Sequence, residues 1–381
     1  DAAGAEHVDH IADKLPGLRN KIVVADDHRA GWTSYEGLVT DASSRWEPIK
    51  TLSDGPALMY FTSGTTGLPK MVLHTHASYG MGHELTSRFW LGLDQDDLHW
   101  NVSDTGWAKT AYSGFFGPWI AGAAIFVFHH SGKFDPTAVL DCLSKYPISS
   151  LCAPPTVYRF LVQQNLHSFR PASLRRCRAA GEPLNGAVLA DWRDATGLTI
   201  REGYGQTETV ILCANIPGLP VKPGSMGLPP PGIELAVVDH NGAPTPVGQP
   251  GEIAVRVEPE RPVGLFREYW HADEATAACF RHGWYLTGDC AYTDQDGYFW
   301  FVARNDDIIT SAAYRIGPFE VEDALMQHPA VAEVAVVGKA DPERTEIVKA
   351  FVVLAAGYSA SDELRRELQH HTKQVTAPYK Y

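Results

Sequence analysis

The sequence predicts an α/β chain that passes into a β-rich stretch and closes in a small α+β unit, and three observations carry that reading. A helical period followed at once by an apolar strand pattern marks the first part, at residues 186–200. Proline and glycine punctuation around short alternating runs marks the second, from about 218 to 304. A helix, two strands and a helix in succession mark the third, beyond Asn305. At about 150 residues per domain, 381 residues suffice for two or three units with real cores.

Taken in chain order, residues 57–62 form a short apolar strand, and a loop rich in Ser, Thr and Gly follows directly. The uncharged run 111–128 has the length of a membrane span, but Gly114, Gly117, Pro118 and Gly122 interrupt it. It is expected to be a buried helix, turn and strand of a soluble core rather than a transmembrane segment. Residues 186–196 place Val188, Leu189 and Trp192 on one helical face, Gly197 stops the helix, and 198–200 read as a strand. Strands are expected at 233–239 and 252–257, with a turn at His240-Asn241-Gly242 after the first. The last part reads as helix 319–327, strands 331–337 and 350–354, and helix 362–374.

Composition narrows the functional class. With 32 Lys and Arg against 45 Asp and Glu, the net charge of −13 repels phosphate backbones, so nucleic acid is not an expected partner. Hydrophobic residues at 44% place the chain among folding sequences. Cys142, Cys152, Cys177, Cys213, Cys279 and Cys290 include no C-x-x-C pair, which predicts neither a disulfide framework nor a zinc knuckle and suits a reducing, cytoplasmic setting. Asp1, Glu6, Asp9 and Asp13 against a single Lys14 are the reverse of a signal-peptide layout. The pairs His74/His76 and His129/His130 lack zinc spacing, and no G-x-S-x-G elbow accompanies the histidines.

Four segments carry chemistry. Thr62-Ser63-Gly64-Thr65-Thr66-Gly67-Leu68-Pro69-Lys70 offers hydroxyls, loop N–H groups and one ammonium after a strand, the donors a polyphosphate needs, although the spacing is not that of a P-loop. Glu202-Gly203-Tyr204-Gly205-Gln206-Thr207-Glu208 follows the strand at Ile200, at the end where open α/β sheets bind ligands; Thr207 can donate to a phosphate, and Glu208 can hold Mg²⁺. Asp289, after a tight turn at Thr287-Gly288, can accept both hydroxyls of a ribose. Arg304, with Asn305-Asp306-Asp307 after it, and Arg315 complete the set; either Arg taken alone reads as an ordinary surface charge.

In this order the four segments resemble the adenylate-forming superfamily and, within it, the medium-chain acyl-CoA synthetases. Ser103-Asp104-Thr105-Gly106-Trp107, Ala180-Gly181-Glu182-Pro183 and Lys222-Pro223-Gly224-Ser225-Met226-Gly227 extend the likeness over nearly the whole chain. The resemblance implies ATP, Mg²⁺ and CoA as reactants with a carboxylic acid: the acid attacks the α-phosphate to give acyl-AMP, and the thiol of CoA then displaces AMP. It implies that Thr62, Ser63, Gly64, Thr65, Thr66, Gly67 and Lys70 grip the β and γ phosphates. Gly181, Glu182 and Pro183 would frame the adenine, with Glu202 near its amino group. Gly203, Tyr204, Gly205 and Gln206 would belong to the nucleotide site, Thr207 would touch the α-phosphate, Glu208 would bind Mg²⁺, and Asp289 and Arg304 would hold the ribose. Lys70, Thr207, Glu208 and Arg315 would carry catalysis, Arg315 serving nucleotide or CoA in different domain orientations.

The same resemblance implies an adenylation core over 1–305 with a barrel-like β-rich subdomain at 218–304, and a mobile C-terminal lid over 306–381 hinged at Asp306. Both are expected to be incomplete, because the family has a further region before the point matching Asp1 and a lysine-bearing tail beyond Tyr381; a lost leader would leave an organelle matrix as the alternative location. Trp107 is expected in the acyl pocket, and Tyr112, Phe115, Phe116 and Trp119 read equally as pocket or core. In acetate-specific relatives a Trp at the position of Gly205 closes that pocket, so Gly205 is expected to leave it open for a longer acid. Ala313 stands where the family has Gly beside the path of the CoA thiol, which keeps a carrier-protein thiol open as the alternative acceptor. A non-catalytic nucleotide or acyl-binding module is the reading from another class. The oligomeric state is not legible.

Overall fold

The computed structural model describes residues 2–24, 29–62, 69–130, 132–311, 314–341 and 344–376. The chain divides into two compact units, Asp1–Thr51 and Leu52–Tyr381. In the first, helices Ala2–Ile11 and Tyr35–Asp41 accompany a short parallel pair, Ile22–Val23 with Thr33–Ser34. Asp9 ties it together, accepting from Lys21, Arg29 and Trp32 at 2.7, 2.8 and 2.9 Å.

The second unit is built on a six-stranded sheet in the order Ile211–Ala214, Ile200–Gly205, Arg176–Ala179, Ser150–Ala153, Leu98–Asn101, Ala124–Ile125, parallel except for the first strand. Helices Pro136–Lys145, Pro155–Val162 and Gly186–Thr196 connect its parallel strands and bury Leu143, Tyr158, Leu161 and Trp192 against Leu151 and Ile200. The helix at 186–196 falls where expected because both ends are fixed locally: the Asn185 side chain accepts from Ala187 N, and Gly197 takes the left-handed conformation at φ 73°. The run 111–128 is helix and strand with a turn between, but it is not the buried segment expected: Trp119 and Val127 are 60% and 82% exposed, because the run lies at the margin of the core, and no helix among the described residues is long and apolar enough to cross a membrane.

Two expected boundaries are corrected. The strand read at 198–200 runs instead over Ile200–Gly205, so Glu202 to Gly205 lie within it and only Gln206 to Thr209 follow it. Their low β propensity is overridden by pairing on both sides, Ala179 with Glu202 and Gly205 with Ile211. Asp289 does not follow a tight turn. It sits in the continuous strand Trp284–Thr293, where a bulge lets Leu286 to Cys290 oppose Glu252 to Ala254, with Gly288 at φ 77°.

The β-rich part is an antiparallel half-barrel of Leu235–Val238, Gly251–Arg256, Trp284–Thr293, Phe280–Arg281 and Phe299–Arg304. A smaller sheet pairs Pro56–Thr62 with Lys70–Thr75, and Glu268–Tyr269 pairs with the latter. Past it, strands Tyr314–Ile316, Ile309–Ser311, Thr345–Leu354 and Val331–Asp341 form the expected α+β unit with helices Pro318–Met326 and Asp362–Val375, around Ile309, Ile316, Val321, Leu325 and Leu368.

Candidate active site

Lys70, Trp107, Gly181, Glu202, Thr207, Glu208, Asp289, Arg304 and Asp306 line a single cavity of about 1020 Å³, as do Thr62, Glu182, Pro183, Gly203, Tyr204, Gly205 and Gln206. Of the expected site, Ser63, Gly64, Thr65, Thr66, Gly67 and Ala313 lie outside the described residues. The backbone of Arg315 pairs with Thr310.

Thr62 and Lys70 face each other across the hairpin, so the two ends of the Ser/Thr/Gly loop are held side by side. The strand Glu268–Tyr269 adds to the same hairpin, Tyr269 opposite Val72. That register puts the Lys70 ammonium 4.7 Å from the centre of the Tyr269 ring, while the Tyr269 hydroxyl donates to Glu208 Oε1 at 2.7 Å. Burial, with the Glu208 charge beside it, pushes the Tyr269 phenol well above its ordinary range. Thr207 is fixed through its carbonyl, which lies 2.7 Å from His74 Nε2. A carbonyl only accepts, so Nε2 carries the hydrogen and Nδ1 is left to accept from the Ser78 hydroxyl at 3.1 Å. His74 is fully buried, and that burial lowers its pKa to about 4.

Asp289 stands directly opposite Arg304 in the strand ladder, with Arg304 Nε 3.9 Å from Oδ1. Oδ2 accepts from the Tyr204 hydroxyl at 2.6 Å and from Gln206 Nε2 at 2.7 Å. Oδ2 therefore already holds two donors, and Oδ1 is the more available oxygen for a ligand. Gln206 is fully engaged: its amide also donates to Thr287 O at 2.8 Å and accepts from the Tyr285 hydroxyl at 3.0 Å. Its side chain thus orients Asp289 from within the wall. Burial raises the Asp289 pKa against the opposing pull of Tyr204 and Arg304. Arg304 also reaches Asp306, 3.8 Å away.

Glu202 accepts from Leu184 N at 3.1 Å, and burial pushes its pKa up to about 8, so near neutrality its carboxyl is largely protonated and able to donate. Glu182 points into protein, its oxygens held by Thr156 at 2.6 Å and Arg159 at 3.1 Å. What it and Gly181, at φ 108°, present to the cavity is therefore mainly backbone.

Trp107 is 56% exposed, and Tyr112 lines the cavity with it. Phe116 packs on Tyr79 at 5.3 Å and Phe115 on Trp119 at 4.2 Å, away from the lining. Gly205 lines the cavity, and a Cβ there would stand 2.5 Å from the Val210 carbonyl oxygen, so the missing side chain also serves the close approach of two strands.

Tyr269, His74 and Tyr285 were not legible as site residues. Tyr269 belongs to no motif, and His74 drew notice only as a poor zinc ligand.

The profile of the AMP-binding enzyme family matches residues 1–270, and that of the AMP-binding enzyme C-terminal domain matches 320–381. The chain is 51% identical over 379 residues to the acyl-coenzyme A synthetase ACSM3, mitochondrial, of Homo sapiens, covering 99% of this chain and 64% of that protein. The chain spans 64–65% of the length of such curated relatives. Among solved structures it is similar to the anthranilate CoA ligase AuaEII in complex with anthranoyl-AMP, at 30% identity and a TM-score of 0.87, covering 99% of this chain and 71% of that one. It is also similar to an acyl-CoA synthetase of Brucella canis, at 35% identity and a TM-score of 0.72, covering 98% and 69% respectively.

Proposed function

The chain belongs to the AMP-binding enzyme family, and from that premise we propose that it activates a medium-chain carboxylic acid with ATP and passes the acyl group to CoA. The observation that carries the reading is the convergence on one cavity of Lys70, Thr207, Glu208, Asp289, Arg304 and Trp107. In the first half-reaction an acid oxygen bonds to the α-phosphorus of ATP and pyrophosphate leaves. In the second, the CoA sulfur bonds to the acyl carbon and AMP leaves.

Both steps need placement and charge neutralisation rather than a protein nucleophile. Lys70 brings a cation to the phosphates, Thr207 a hydroxyl on a backbone pinned by His74, and Glu208 a carboxylate aimed by Tyr269. Asp289 and Arg304 hold the ribose. Among the described residues no cluster of three or more His, Cys, Asp or Glu could hold a metal alone. That donor set fits Mg²⁺, which is commonly bound by one or two carboxylates together with substrate phosphates, so Glu208 would hold it. When bound, it supplies neutralisation of phosphate charge. Asp306, paired with Arg304, is proposed as the hinge about which 306–381 turns between the half-reactions, with Arg315 carried on the moving part.

Relatives named mitochondrial favour an organelle over the cytoplasm. The experiment is AMP formation from a panel of acids with and without CoA. Butyrate to octanoate exceeding acetate, with release dependent on CoA, supports the proposal. Acyl-AMP that builds up and is drawn off only by a carrier-protein thiol favours that acceptor, and no AMP with any acid leaves a binding module.

A further inference from the structure

We propose that Lys109 and Cys152 form a covalent modification site, at which dioxygen joins the lysine nitrogen to the cysteine sulfur through one bridging oxygen. Lys109 lies on the short helix Ala108–Ala111 and Cys152 on the strand Ser150–Ala153, and their Nζ and Sγ are 3.0 Å apart. Cys152 is fully buried, and Lys109 is 6% exposed. A lysine so deeply buried ordinarily faces a carboxylate. Among the described residues the amine of Lys109 meets the Cys152 thiol rather than a carboxylate, with the Trp90 ring 5.9 Å away. Lys109 also lines the cavity, which puts its side of the pair within reach of a small oxidant there.

The separation is close to the span of a single bridging atom and well beyond a direct nitrogen–sulfur bond. In a close-packed wall that difference decides the product, since side chains there shift by tenths of an ångström. The thiol hydrogen and one amine hydrogen leave with one oxygen atom as water. The other oxygen atom stays between nitrogen and sulfur, and four electrons pass from these two atoms to dioxygen. No second cysteine is required. Cys279, the one cysteine of intermediate exposure, provides the contrast: its sulfur faces the Ala275 carbonyl at 3.3 Å rather than an amine.

The test is mass spectrometry of the whole chain, prepared under reducing, oxygen-free conditions and then exposed to dioxygen. The expected result is a gain of one oxygen less two hydrogens, with the peptide holding Lys109 joined to that holding Cys152 and released by dithiothreitol. The gain should be absent from Cys152→Ser, and equally from Lys109→Gln, which keeps the thiol and serves if the first variant does not fold. Two separate peptides after exposure, or Cys152 oxidised to sulfinic acid with the Lys109 peptide free, would overturn the proposal. The readout is a mass, so its failure leaves acid activation standing, and failure of acid activation leaves the link standing.

Discussion

Asp289 and Arg304 are paired directly across two antiparallel strands, and the arginine that faces the buried carboxylate also lies 3.8 Å from Asp306. One guanidinium thus serves the proposed ribose site and the proposed hinge. The carboxylate is the end point of a chain running Tyr285, Gln206, Asp289, with Tyr204 as a second donor.

If Asp289 accepts from the ribose, Asp289→Ala removes charge-assisted hydrogen bonds worth about 1.5 to 3 kcal/mol each, and AMP affinity should fall at least about tenfold. Calorimetry with AMP reads this directly. Unchanged affinity in a folded variant removes Asp289 from the site.

Tyr269→Phe keeps the ring under Lys70 and deletes only the hydroxyl that holds Glu208. The Mg²⁺ concentration for half-maximal pyrophosphate exchange should rise about tenfold, the loss of one hydrogen bond to a charged group. A magnesium titration at saturating ATP that matches the parent's would show that Glu208 needs no such support.

His74 should make the fold sensitive to acid. Its folded pKa, about 4, lies below the ordinary 6.5, so the unfolded chain binds the extra proton first. The stabilisation is complete above pH 6.5 and is lost as pH falls toward 4, by about 3 kcal/mol in all. Glu202, with its pKa raised to about 8, works in the opposite direction between pH 4.5 and 8, so the comparison must be between parent and variant. The unfolding free energy of His74→Gln, from denaturant titrations, should fall less steeply with acid over this window, by up to about 1.4 kcal/mol per pH unit. Parallel curves would mean that His74 does not titrate there.

Gly205→Trp should not convert the chain to acetate. Because the added Cβ meets the Val210 carbonyl at 2.5 Å, even Gly205→Ala should cost about 1 to 3 kcal/mol of stability and depress every acid alike. A thermal melt and the acid panel on both variants check it. A stable variant with an inverted chain-length order would show that Gly205 bounds the acyl space in spite of that contact.

Local signals were legible and distant ones were not. The helix at 186–196 is marked by its own cap and stop residues, and the Asp289 and Arg304 segments by motif. Strand Ile200–Gly205 was read short because glycines and carboxylates hold strand geometry there only through their neighbours. Tyr269 meets Glu208 across 61 residues and His74 meets Thr207 across 133, and nothing in the local pattern announces either pairing. The close approach of the Val210 carbonyl to Gly205 is hidden from the sequence for the same reason, since a backbone oxygen from a neighbouring strand leaves no mark on the local pattern.

The two-residue strand Glu268–Tyr269 has a consequence for how the protein comes into being. It docks on Leu73 and Val72, so the pairing that sets Tyr269 beneath Lys70 closes a loop spanning most of the second unit. Such non-local contacts form late and slowly. The wall formed by Lys70, Tyr269 and Glu208 is therefore completed only after the chain has been synthesised through Tyr269, roughly two thirds of the way along that unit, and a ligand that needs this geometry rewards the finished fold while giving nothing to its intermediates.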